Sequence, residues 1–507
     1  MRGQAECTSP WLQDGARGSS FVPYTGGVRP SSRFGLALLL AAVTAVYAPT
    51  LNDYFGGDDF LVIGPVSRFG AGELIWRSFL MRDDIPYWRP LVSPLYALVV
   101  HGFWLRPEPY HLVVLGLHLL NVSLLVALAT ALTGQRSVGL VAGLLFGIHA
   151  AHTTTVAQIS SMVELFSVVW YLSAVLGAVR FAAVATEGGQ RARRWYVLAL
   201  GAFVLALLSK ESTVSAAAVI SLWWCLTLYR PHGARWLAPR LLPFWLLAVP
   251  YTVFAYLTDT DDPSGIARHM YFPGLHVLPN LWWFLARLAL PLTPGHGPHV
   301  STAGHAGAAL LAVLFGWALL RGPRHARFLV LWTGIALTPL ALWRPELLLG
   351  RFTYQAAAPY GVLLALAGHR VVSSLVGPSG RWAPHLPAVR REALLGGALV
   401  VAAAALLAPL TVAQNRERTR EGDSYHLLVT ALRHEVPLPP AQGTIVLVDG
   451  VWPGPFHALY LGAVAETLYG RGRVRVVNVA PGEPVPAVEG PAVHLRYTGG
   501  GLVREAR

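Results

Sequence analysis

Asn52-Asp53-Tyr54-Phe55-Gly56-Gly57-Asp58-Asp59-Phe60 places two adjacent carboxylates directly after the first long apolar stretch of the chain. At a membrane surface such a pair serves as general base for an acceptor hydroxyl or as ligands of a divalent cation; read in isolation it is also a solvated turn. The two glycines let the backbone come close to a ligand. Cations recur farther on: Arg89 in Tyr87-Trp88-Arg89-Pro90-Leu91, Lys210 in Ser209-Lys210-Glu211-Ser212, and Arg351 in Arg351-Phe352-Thr353-Tyr354. An arginine between aromatics either grips a phosphate bidentately or anchors the chain at headgroup level. Histidines follow at Tyr110-His111 and in Phe146-Gly147-Ile148-His149-Ala150-Ala151-His152-Thr153. On a helix, His149 and His152 share one face, a spacing for a metal, for hydrogen bonds to a sugar or phosphate, or for capping a span end. Glu164, the Lys210-Glu211 pair and Arg287 fall in or beside apolar stretches, where a charge must be paired or face a wet cavity. Lys210 is the one lysine beside 38 arginines, so the compact ammonium is singled out there.

These residues have to be held by membrane-spanning helices. The 507 residues are 54% hydrophobic and only 13% charged, with a mean hydropathy of +0.49. A soluble domain carries roughly 25% charge, so neither an ordinary cytosolic enzyme nor a disordered chain fits. About eleven spans are expected, at 34–50, 110–132, 138–148, 156–178, 195–208, 213–228, 241–257, 305–320, 328–343, 352–367 and 394–411. The net charge of +13 comes from arginines gathered in alternate short loops, which puts the amino terminus in the cytoplasm and points to topology rather than to nucleic acid. Segment 275–292, with Pro279, Trp282, Trp283 and Arg287, breaks that alternation if it crosses, and is expected to be re-entrant or interfacial. Cys7 and Cys225 give neither a disulfide framework nor a thiol metal site.

The expected fold class is therefore an α-helical polytopic membrane protein with a small C-terminal α/β extracytoplasmic domain. Residues 1–33 read as a disordered cytoplasmic tail and 34–412 as the membrane domain. Its long outer loops are 51–109, with Asp83 and Asp84, and 258–304, with Asp259, Asp261, Asp262, His269, His296 and His299; a short third outer loop is 344–351. Residues 413–507 read as the soluble domain, with strand-like runs at 443–451 and 474–479 and no 34-residue repeat.

The order of the motifs resembles the GT-C superfamily of membrane glycosyltransferases: an early outside Asp-Asp, Arg-Pro-Leu, Tyr-His before a span, Phe-x-x-His-x-x-His-Thr, Leu-Ser-Lys-Glu, then Arg-aromatic-x-Tyr. The nearest branch is the transmembrane O-mannosyltransferases that carry tetratricopeptide repeats, with the protein O-mannosyltransferases more distant. The resemblance covers roughly 34–420. It implies transfer of a sugar, mannose in that branch, from a polyprenyl-phosphate donor to a hydroxyl of a protein, glycan or lipid acceptor, outside the cytoplasm and with inversion. It implies Asp58 and Asp59 as the catalytic acidic pair and Arg89, Lys210 and Arg351 as holders of the donor phosphate. His111, His149, His152, Glu164 and Tyr354 fall to the sugar or acceptor pocket. No cofactor is required, a divalent cation stays open, membrane lipids are partners, and the expected location is the cytoplasmic membrane of a bacterium. The chain departs from the branch at Ala150, Thr154 and Met162, where Pro, Glu and Arg are usual, and carries the small domain in place of repeats. The competing readings from the residues are a transporter or lipid flippase and a non-catalytic scaffold.

Overall fold

The computed structural model describes residues 30–80, 88–258, 271, 273–291, 299–376, 388–439, 443–449, 457–498 and 501–505. Residues 1–29 of the expected tail lie outside them, as do Cys7, Asp83, Asp84, Tyr87, Asp259, Asp261, Asp262, His269 and His296.

Helices dominate. α1 (Pro30–Tyr47) leads into the segment 51–109, which holds α2 (Gly57–Ser67), α3 (Ala71–Leu80) and α4 (Val92–Phe103). Then come α5 (Pro107–Thr133), α6 (Arg136–Gly147), the one-turn α7 (Thr153–Val156), α8 (Met162–Val184), α9 (Gly189–Leu207), α10 (Ser215–His232) and α11 (Ala234–Thr258). α12 (Val277–Ala289), α13 (Thr302–Arg321), α14 (Arg324–Ala341), α15 (Tyr354–Val376) and α16 (Ala388–Glu435) complete the helical body. Among the described residues six helices are long and apolar enough to cross a membrane, seven if the bent pair Arg136–Gly147 and Ala150–Val156 counts as one span. Each of the eleven expected stretches falls mainly within a helix. α12, at 13 residues, reaches about 20 Å, short of a hydrocarbon core about 30 Å thick.

Local chemistry sets the ends that matter. α5 opens with Pro107 in its first turn, where a missing N–H costs nothing, and stops at Gly134 in the left-handed conformation (φ 70°). α13 starts at Ser301, whose hydroxyl accepts the Gly304 N–H at 3.1 Å. α6 presents Gly139, Gly143 and Gly147 at four-residue intervals, so it packs backbone-close onto its neighbours. A Cβ at Gly143 would stand 2.4 Å from Val126 of α5, and one at Gly147 2.6 Å from Val43 of α1. That close approach fixes where the chain leaves α6 toward the histidines. Large apolar side chains left exposed on spans, such as Leu246 and Trp317, suit a lipid-facing surface.

α16 runs unbroken for 48 residues, about 72 Å, through position 412. Polar side chains tie it to the ends of other helices: Thr411 Oγ1 donates to the Ile148 carbonyl at 2.7 Å, Gln414 to Pro291 at 2.6 Å and Asn415 to Val46 at 3.2 Å. Beyond it, β1 (Gly443–Val448), α17 (His457–Tyr469), β2 (Val474–Val479), β3 (Ala492–Thr498) and β4 (Gly501–Arg504) form a four-stranded sheet with one helix. The order is β2-β1-β3-β4, with β1 parallel to both neighbours and β4 antiparallel to β3. The all-buried β1 fits a central parallel strand. One cluster of buried apolar side chains runs from Leu39 of α1 to Leu502 of β4, so the sheet and the helical body share a core.

Candidate active site

The two carboxylates of the acidic turn point to different tasks. Gly56 caps α2 in extended conformation, and Asp59, at the third helical position, accepts its N–H on Oδ2 at 2.9 Å. Asp59 Oδ1 accepts the N–H of Ser160 at 2.6 Å, so both oxygens serve backbone amides and the side chain is buried. Burial pushes the Asp59 carboxyl up to about 6, against the pull of the Ser160 and Gly56 amides.

Asp58 instead meets Arg351 across 293 residues of sequence, Nη1 donating to Oδ2 at 2.5 Å. Ser160 completes the group: its hydroxyl donates to the same oxygen at 3.4 Å and accepts from Arg351 Nη1 at 3.3 Å. Burial alone would raise Asp58, but the Arg351 charge and hydrogen bond, with Arg418 and Ser160, outweigh it and hold the carboxyl below its ordinary value. Asp58 and Arg351 each keep 17% side-chain exposure. The pair is held but not sealed.

Each of the other two expected phosphate cations also has a carboxylate partner. Arg89 grips Glu211 with a fork, Nε to Oε2 at 3.0 Å and Nη2 to Oε1 at 2.8 Å, while the Tyr271 hydroxyl donates to Glu211 at 2.9 Å. Lys210 pairs with Glu164 of α8, both side chains almost fully buried, and lies 5.2 Å from the centre of the Phe352 ring. Lys210 is extended (φ −162°, ψ 140°) just before the short turn Glu211–Val214, which lets two successive side chains reach different partners.

The histidines form a second group, mostly occupied with the backbone. His111 Nε2 bonds the Asp53 carbonyl at 3.0 Å. His149 caps the turn Ala150–His152, its Nδ1 accepting the Ala151 N–H at 3.2 Å, and its Nε2 meets the Leu288 carbonyl at 3.3 Å. That turn is a 3-10 segment, and the His149 and His152 rings are 5.4 Å apart. His152 is fully buried with its ring 4.7 Å from Tyr354 and 4.8 Å from Phe146. Tyr354 is held by His118 Nδ1 at 2.8 Å and by Asn121 Nδ2 at 3.3 Å. The turn Gly350–Thr353 and the first residue of α15 thus reach three of these groups: Arg351 to Asp58, Phe352 to Lys210, Tyr354 to His118 and His152. Arg287 is buried behind this turn, so close that a Cβ on Gly350 would stand 2.5 Å from its Nη2.

The sequence reading passed over Ser160, His118 and Asn121. The last two carried a signal, being polar residues three apart inside a 27-residue apolar helix. Ser160 carried none, because its value lies in a neighbour a hundred residues away. Among the described residues no three His, Cys, Asp or Glu side chains form a metal ligand set; Asp59 is spent on amides and Asp58 is held by Arg351.

No protein-family model matches the chain. Over 198 residues it is 32% identical to protein O-mannosyl-transferase Tmtc1 of Drosophila melanogaster, a match covering 36% of this chain and 22% of that protein. Over 141 residues it is 33% identical to Tmtc2 of the same organism, covering 27% and 15%. The match thus spans less than a quarter of either relative. In fold the chain is similar to ArnT of Cupriavidus metallidurans in its apo crystal structure, with a TM-score of 0.51, 13% identity, and coverage of 92% of this chain and 93% of that one.

Proposed function

We propose that this chain, which has the fold of the GT-C membrane glycosyltransferases, transfers a sugar from a polyprenyl-phosphate donor to an acceptor hydroxyl outside the cytoplasm. The observation that carries the reading is Asp58 against Arg351 and Ser160, a carboxylate and a guanidinium in contact yet partly exposed where the first outer loop meets the spans. One group suits an acceptor proton and the other a leaving phosphate. In our reading the acceptor oxygen attacks the anomeric carbon from the face opposite the phosphate, and the bond from that carbon to the phosphate oxygen breaks. The hydroxyl proton passes to Asp58 and then to water, and the bonding electrons leave with polyprenyl phosphate. A carboxylate of low basicity is adequate, because the hydroxyl becomes acidic as its oxygen bonds to carbon.

Arg351 offers five N–H donors in a planar fork, of which Nη1 serves Asp58 and Ser160, so a guanidinium here suits both the carboxylate and a phosphate. Arg89 is the second donor-side cation, partly exposed like Arg351. Lys210 and Glu164 hold each other and steady Phe352, and Asp59 keeps the acidic turn in shape. His152 and Tyr354 line the sugar side, with His111 and His149 bracing the backbone around them. We assign mannose on the strength of the O-mannosyl-transferase names of the Drosophila proteins, inversion from the direct attack of the acceptor with Asp58 as base, and a hydroxyl of protein, glycan or lipid as acceptor. The same reading takes eleven spans, the amino terminus in the cytoplasm, residues 413–507 outside, and a bacterial cytoplasmic membrane as the site.

The test is release of free polyprenyl phosphate from a panel of polyprenyl-phosphate sugars by purified protein, supplied with crude extracytoplasmic acceptors. Release that Asp58→Asn abolishes supports the reading. No release from any sugar, with the protein folded, moves the transporter and scaffold readings ahead.

A further inference from the structure

Ser160 spends all three of its polar groups at the site. It lies in the short turn Ile159–Ser161 just before α8. Its N–H goes to Asp59 Oδ1 at 2.6 Å, and its carbonyl accepts the hydroxyl of Tyr96, a buried residue of α4, at 2.7 Å. These two main-chain bonds tie the turn to α2 and α4 independently of the serine side chain. The hydroxyl is left to the exposed ion pair, donating to Asp58 Oδ2 at 3.4 Å and accepting from Arg351 Nη1 at 3.3 Å. Both contacts are long beside the 2.5 Å between Asp58 and Arg351 themselves, so while the pair is closed the serine holds each member only loosely. Ser160 is 6% exposed, against 17% for the side chains of the pair. The hydroxyl therefore reaches the pair from the protein side and leaves the open side to substrate.

In the transferase reading Arg351 turns toward the leaving phosphate at the moment when Asp58 is needed as base. A carboxylate that loses its arginine with nothing in its place loses both its orientation and the bond that favours its charge. We propose that Ser160 is a positioning residue for the base: when the donor phosphate draws Arg351 away, the Ser160 hydroxyl closes on Asp58 Oδ2 and keeps that carboxylate hydrogen-bonded and in place. The inference rests on the transferase reading and adds to it the group that takes over from Arg351. The same hydroxyl is among the causes that hold Asp58 below its ordinary value, so its removal raises Asp58 and moves the acid limb of activity to higher pH. Besides Arg351 and the adjacent Asp59, the groups facing Asp58 are Arg418 and Tyr425 of α16 and Tyr460 of α17, the last with its ring packed on Gly57. All of them remain when only Ser160 is changed.

Ser160→Ala in the full-length, reconstituted protein is the decisive variant, because the bonds to Asp59 and Tyr96 are main-chain bonds and only the hydroxyl goes. The probes are undecaprenyl-phosphate mannose as donor and, as acceptor, a pool of Ser/Thr peptides, with methyl α-mannoside in a parallel assay. The kcat should fall about tenfold, a part of what a general base supplies, while both KM values hold because the serine touches neither substrate. The acid limb of the kcat profile should move up by about half a pH unit. Ser160→Thr keeps the hydroxyl and should restore both the rate and the limb. Wild-type kcat and limb in Ser160→Ala, a loss carried by either KM instead, or a folded Ser160→Thr no better than Ser160→Ala overturns the proposal. Collapse of the fold in Ser160→Ala overturns it too, since the serine would then be structural. Absence of transfer by the wild type to either acceptor overturns instead the transferase reading beneath it.

Discussion

Two cation–carboxylate pairs occupy this molecule within reach of one short turn, and they differ in one property that decides their use. Arg351 and Asp58 each keep 17% side-chain exposure, while Lys210 and Glu164 keep 3% and 4%. A partly exposed pair exchanges its partner for a substrate group at modest cost, since water and ligand reach both members. A sealed pair resists exchange, because separating it strands a charge without solvent. In the proposed transferase, an exposed pair of opposite charges does chemistry and a sealed pair holds structure.

Asp58→Asn breaks the comparison on the exposed side. Turnover should fall by at least about a hundredfold, the usual scale of a lost general base, with folding and insertion intact. Polyprenyl-phosphate release by purified variant and wild type reads this directly, and wild-type release would remove Asp58 from the chemistry.

Glu164→Gln strikes the sealed side, leaving Lys210 buried against a neutral amide. The expected cost is about 3–5 kcal/mol, seen as a collapse in melting temperature or yield. Replacing both members, Glu164→Leu with Lys210→Met, should recover much of it. A Glu164→Gln protein as stable as wild type would show that the pair is not structural.

A milder change sharpens the contrast. Arg351→Lys keeps the charge and loses the fork, so affinity for polyprenyl phosphate should drop about tenfold while acceptor affinity holds. Equal losses on both sides, measured by titration of each substrate, would take the phosphate away from Arg351.

The smallest effect is pH-dependent and concerns the two adjacent aspartates. Burial holds Asp59 at about 6 against an ordinary 3.8, so the folded chain binds that proton more tightly than the unfolded one. Its contribution is complete below the ordinary value and is lost as pH rises through about 6. Asp58 runs the other way: its lowered value adds stability above the ordinary range, and that is lost as pH falls through and below it. Asp59 should therefore contribute about 1 kcal/mol more stability at pH 5 than at pH 7.5, read as the difference between wild type and Asp59→Asn in how stability changes between the two pH values. Thermal melts at the two pH values test this, and an unchanged difference in the variant would assign it elsewhere.

Much of the helical plan was legible in the chain. Eleven apolar stretches fall on helices, and the strand-like runs at 443 and 474 became β1 and β2. Such features depend on side chains within one turn or two of each other. The later strands β3 and β4 were not read, since β3 gains its order by pairing with β1 and β4 by pairing with β3. Of the ten residues read as site candidates, Asp58 and Arg351 meet, Glu164 and Lys210 meet, and Arg89 turns to Glu211, which had been noted only as a neighbour of Lys210.

The sequence by itself determined that this is a membrane protein, where its apolar helices run, and which residues at their ends carry charge. Those follow from transfer of side chains out of water, a property of each segment alone. Only the tertiary structure decided which carboxylate of the acidic turn is spent on amides and which faces Arg351. It also decided that Lys210 is sealed and that Tyr460 covers Gly57 from a helix some 400 residues later in the chain. Those depend on which distant groups share a low-dielectric space, and no local pattern encodes a partner that arrives from another element.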